Sequence, residues 1–71
     1  MAETQKYQRR VMAEADQLQG RIAKLETFIA SPAFDTELDQ TERRDLLDQL
    51  KAMLTYADVL ERRIAYFRWK E

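Results

Sequence analysis

The sequence predicts an all-α protein: an antiparallel two-helix coiled-coil hairpin that assembles into a homo-oligomeric helical bundle. Three observations carry this. The chain has one Gly and one Pro among its 71 residues and is rich in Ala, Leu, Glu, Gln, Lys and Arg, which is a helical composition. In its second half Leu46, Leu50, Met53, Ala57, Leu60, Ile64 and Phe67 recur at alternating steps of four and three, a heptad seam on one helix face. The first half offers the matching seam in Gln8, Val11, Ala15, Leu18, Ile22, Leu25 and Ile29. Folded back on each other, the two lines pair in a single register from Ile29/Leu46 at the turn to Gln8/Phe67 at the open end.

A single unit over residues 1–71 is expected, with a helix over 3–30, a connector over 31–39 and a helix over 40–69. The first helix begins near Glu3 or Thr4 and is about 40 Å long at the usual rise per residue. Gly20 sits inside it at a cost of about 1 kcal/mol relative to Ala. It is either a tolerated surface position or a point of close approach by a second subunit or a ligand. Ser31-Pro32 stops the helix, because Pro has no amide donor and biases the residue before it away from helical backbone. Phe34 and Leu38 should fold back over Phe28, Ile29 and Leu46, which makes the connector ordered. Asp39 with Glu42 three residues later fits an N-cap and capping box for the second helix. Along the seam large residues face small ones, Leu18 against Ala57 and Leu60 against Ala15, so the helices can approach closely.

A chain this short buries a thin core, and no Cys or His is present to staple it with a disulfide or zinc. Leu47 and Leu54 form a second apolar line beside the seam, with Tyr56 and Val59 elsewhere on the helix. A two-helix hairpin cannot cover all of these. Leu47, Leu54 and Tyr56 are therefore expected at an oligomer interface, a dimer forming a four-helix bundle being the default.

Charge narrows the function. Twelve basic against thirteen acidic residues leave a formal net charge of −1, which disfavours an electrostatic grip on duplex DNA by the whole chain. The absence of His, Cys and a glycine-rich phosphate loop argues against an enzyme, a metal site or a cofactor. No long apolar run or signal-like N-terminus is visible, so a soluble protein of the cytoplasm, without a membrane partner, is expected. The charges are nonetheless sorted. Acids gather at the turn end, whereas Lys6, Arg9, Arg10, Arg62, Arg63, Arg68 and Lys70 gather at the open end. Bases near the start of the first helix oppose its dipole, so that account does not cover them. The same end holds Tyr7, Tyr66, Phe67 and Trp69. Guanidinium forks grip phosphate oxygens and aromatic faces stack on bases, which makes Tyr7, Arg9, Arg10, Arg63, Tyr66, Arg68 and Trp69 the candidate ligand-binding residues. The competing reading is that Tyr7, Phe67 and Trp69 seal the open end with Arg and Lys stems laid over them.

Tyr7-Gln8-Arg9-Arg10-Val11 with Glu14, Lys24-Leu25 with Phe28-Ile29, Phe34, Leu46-Leu47 with Gln49, Met53 with Tyr56, and Val59-Leu60 with Arg63-Ile64 follow one another in an order that resembles a family of short bacteriophage and prophage proteins. That family is related to an uncharacterised protein of crAss-like phages, and the resemblance covers most of the chain. It implies a small accessory phage product expressed in the host bacterial cytoplasm. By analogy with small helical phage proteins that act as sponges, the expected function is a non-enzymatic anti-defence protein. It would sequester a nucleotide immune signal of the host, such as a cyclic oligonucleotide or an ADP-ribose-type molecule. The alternative is a coiled-coil adaptor that binds a host protein through the Leu47, Leu54 and Tyr56 face.

Overall fold

The structure is a computed structural model and describes residues 5–70. These residues form three helices, α1 (Lys6–Ile29), α2 (Pro32–Glu37) and α3 (Gln40–Lys70), within dimensions of 55 × 15 × 15 Å. The start expected at Glu3 or Thr4 lies outside the described residues.

Each boundary has a local cause. At the start of α1 the Gln5 amide donates to Gln8 Oε1 at 3.1 Å, which occupies a donor that the helix itself leaves unpaired. The helix closes as the Ala30 amide donates to the Glu26 carbonyl and the Ser31 amide to that of Phe28, both at 3.0 Å. Ser31 Oγ also donates to the Phe28 carbonyl at 2.6 Å, and the Ser31 backbone then turns extended, as expected of a residue before Pro.

Pro32 does not simply break the chain. It opens α2, where a first-turn residue needs no amide donor and a fixed φ suits the helix. A helical turn therefore occupies much of the stretch expected to be a plain connector. Phe34 on α2 lies edge-on to Phe28 of α1, ring centroids 6.4 Å apart. Arg43 of α3 donates to the carbonyls of Leu38 at 2.7 Å and Asp35 at 3.1 Å, which satisfies the end of α2 and fixes it to the start of α3. The capping box forms as expected: the Asp39 amide donates to Glu42 Oε1 at 3.1 Å, and the Glu42 amide donates to Asp39 Oδ1 at 2.8 Å.

The core lies between α1 and α3. Its buried members are Val11, Leu18 and Ile22 from α1 and Ala57, Leu60 and Phe67 from α3, with Ala15, Leu50, Met53 and Ile64 packed against them. All ten belong to the two seams predicted from the sequence. Further contacts between the helices include Tyr7, whose ring is T-shaped to Phe67 with centroids 5.7 Å apart, and the Tyr56 hydroxyl, which donates to the Glu14 carboxylate. Beside this core Leu47 and Leu54 remain 47% and 46% exposed.

Two substitutions separate core packing from helix propensity. Leu60 is 1% exposed, so Leu60→Ala should cost about 2–5 kcal/mol in urea unfolding. A Cβ on Gly20 would meet nothing within 4 Å, so Gly20→Ala should raise stability by about 1 kcal/mol.

Candidate functional site

Of the expected ligand-binding residues, Tyr7, Arg10, Arg63 and Tyr66 each precede a seam residue and so share a flank, whereas Arg9, Arg68 and Trp69 lie elsewhere around the helices, since neighbours in sequence are about 100° apart. Arg9 and Arg10 are exposed on α1, and Arg63 and Arg68 are exposed on α3. Among the described residues none of these four guanidinium groups forms an ion pair. The Asp58–Arg62 pair on α3 does form, at 2.8 Å. Tyr66 and Trp69 stack on each other with centroids 6.1 Å apart and planes 29° from parallel. Lys70 Nζ lies 5.6 Å from the Tyr66 ring centre, a cation–π distance. Trp69 is otherwise 78% exposed. Tyr7 spends its ring edge on Phe67.

Arg68 lines a groove of about 370 Å³ together with Ala15, Asp16, Gln19, Glu61, Ile64 and Ala65. Two carboxylates against one guanidinium make that wall a poor match for an anion. None of the other expected ligand residues lines the groove.

Tyr56 has a different environment from the one expected of an interface residue. Its hydroxyl reaches from α3 to α1 and donates to the Glu14 carboxylate. It precedes the seam residue Ala57, whereas Leu47 and Leu54 follow the seam residues Leu46 and Met53, so the three expected interface residues fall on two flanks of the seam. The Glu14 hydrogen bond, then partial desolvation, then the Glu14 charge hold the Tyr56 phenol above its ordinary pKa of 10.0. Arg63 and Arg21 act on the same phenol in the opposite direction. The Glu14–Tyr56 bond is the cross-helix contact that sequence reasoning did not anticipate. The signal was present: Glu14 and Arg21 each precede a seam residue of α1, as Tyr56 and Arg63 precede seam residues of α3.

No helix among the described residues is long and apolar enough to cross a membrane. No group of acidic, His or Cys side chains among them could hold a metal ion.

The sequence profile of the Sequestin family matches residues 5–66, nearly the whole described chain. The chain belongs to the Sequestin family. It is also 44% identical over 62 residues to the "Uncharacterized 7.5 kDa protein in denB-rIIB intergenic region" of Enterobacteria phage T4, a match that covers 87% of this chain and 95% of that protein. No solved structure matches. Together these findings place the chain among short phage proteins, although neither carries the expected link to crAss-like phages. The name Sequestin is that of a binding protein rather than a catalyst. Its matched span contains Tyr7, Arg9, Arg10, Glu14, Arg21, Tyr56, Arg63 and Tyr66, and ends before Arg68 and Trp69.

The cross-helix bond has a pH signature. A phenol whose proton is held more tightly in the folded chain than in the unfolded one stabilises the fold below its unfolded pKa, and that contribution fades as pH rises through the folded value. With Tyr7 and Tyr66 changed to Phe, ultraviolet titration should show Tyr56 ionising above 10.0, and Glu14→Gln should bring it down toward that value.

Proposed function

We propose that the chain is a non-enzymatic phage anti-defence protein that sequesters a small nucleotide immune signal in the cytoplasm of the bacterial host. The observation that carries this reading is the Sequestin match over residues 5–66. Sequestration requires tight, stoichiometric capture and no chemistry, so the protein needs donors for phosphate and faces for a base but no acid, base or nucleophile. Exposed guanidinium groups and aromatic rings meet that need. A cyclic oligonucleotide or an ADP-ribose-type molecule fits the same chemistry.

The working form in this reading is a homo-oligomer of antiparallel helical hairpins, each chain forming one unit over residues 1–71. Leu47 and Leu54 support it. At about 25 cal/mol per Å² of apolar surface, covering them in each chain adds stability comparable with the margin of a small domain. The same exposed pair also favours the adaptor reading, in which a host protein covers it. Ligand uptake separates the two.

Native mass spectrometry of the protein, alone and with a pool of cyclic and ADP-ribose-derived nucleotides, tests the proposal. The expected result is a discrete oligomer that gains whole-number ligand mass, and Leu54→Asp should dissociate it. A monomer, or an oligomer that takes up no nucleotide, would overturn the reading.

A further inference from the structure

α3 carries a second line of residues beside its seam. Arg44, Leu47, Lys51, Leu54, Asp58 and Glu61 recur at alternating steps of three and four, so they share one face, and all six are exposed. Leu47 and Leu54 stand about 10 Å apart along it. A helix that buries one stripe against α1 and repeats an open stripe at the same heptad spacing has the pattern to pack a second time.

The charges on this line are sorted. Its cation Arg44 comes one turn before Leu47, and its acids Asp58 and Glu61 come one and two turns after Leu54. The helix dipole favours the opposite order, with acids toward the start and bases toward the end. The rest of α3 follows the dipole: Glu42, Asp45 and Asp48 lie in its first third and Arg62, Arg63, Arg68 and Lys70 in its last. Among the described residues Glu61 forms no ion pair, and Arg44 reaches only its sequence neighbour Asp45, at 3.8 Å.

Resting on the homo-oligomer of the sequestration reading, we propose that this line is the self-docking surface and that a second copy packs on it antiparallel, about a two-fold axis beside Lys51. In that register Leu54 of each copy lies between Leu47 and Lys51 of the other, with the Lys51 stem along the leucine and its ammonium in water. Arg44 of each copy lies between Asp58 and Glu61 of the other. The acidic first third of each α3 then runs beside the basic last third of the other. A parallel arrangement has none of this complementarity: it sets Arg44 on Arg44, Lys51 on Lys51, Asp58 on Asp58 and Glu61 on Glu61. The antiparallel two-fold also closes, since each copy offers and receives the same surface. Charge complementarity with itself is what assigns the two leucines to a second copy.

Two measurements test the orientation. Arg44→Glu and Glu61→Arg should each weaken self-association about tenfold, because the two-fold axis makes every change count twice, and the combined variant should recover most of the loss. Helicity unchanged in each separates lost docking from lost folding. In a parallel pair the combined variant still sets like on like and recovers nothing, which would overturn the proposal. The chain has no Cys, so single cysteines report unambiguously. Arg44→Cys and Glu61→Cys, co-expressed and treated with a short bismaleimide, should cross-link to each other. Neither should cross-link to itself, its own copy being about 20 Å away along the helix. Self-linking by either variant alone would show a parallel pair, and a discrete oligomer without the mixed link would show that another face docks. Either result overturns the self-docking assignment and leaves sequestration standing. A wild-type protein that is monomeric overturns both.

Discussion

Burial of one interleaved apolar line between α1 and α3 is the constraint on which the rest of the structure depends. The fully buried residues are few, and each is a seam residue. Nothing else is available to hold the chain, since the sequence has no Cys and no His and the described residues bury no polar side chain. α2 is secondary to this contact. It closes the turn by resting Phe34 on Phe28 and by giving its last carbonyls to Arg43, but adds no buried residue of its own.

The seam also decides which polar side chains meet. Residues one step before a seam position on α1 share a flank with residues one step before a seam position on α3, and this is where Glu14 meets Tyr56. Residues one step after a seam position share the other flank, where Leu47 and Leu54 are open and Glu61 and Arg68 line the groove. The two flanks therefore have different chemistry. One is cationic with an anchored ring; the other is apolar toward the turn and mixed in charge toward the open end.

The fold was more legible than the site, for a physical reason. Periodicity fixes a helix face, so the alternation of four and three steps was enough to name the residues that become the core, and Asp39 with Glu42 was enough to mark the start of α3. The helical turn of α2 was less visible because it is short, opens with Pro and depends on a tertiary contact through Phe34. The binding residues were chosen by residue type and by nearness to one end of the chain. Axial nearness says nothing about angle: Tyr7, Arg10, Arg63 and Tyr66 each precede a seam residue and share a flank, whereas Arg9, Arg68 and Trp69 do not. Glu14, named only within the family resemblance, gave no sign of its bond to Tyr56, because it is an ordinary charged residue in a charged helix. Only its step before the seam marks it, and only the reach of Tyr56 joins it to α3.

The central claim is that the chain captures a nucleotide and does not transform it. A family recognised over residues 5–66 supports capture. The most direct measurement is recovery of the bound molecule: saturate the purified protein, hold the complex for a long incubation, denature it, and analyse the released nucleotide by mass and chromatography. The account predicts full, stoichiometric return of the unaltered nucleotide. Release of a cleaved or otherwise modified product, growing with time of incubation, would contradict it.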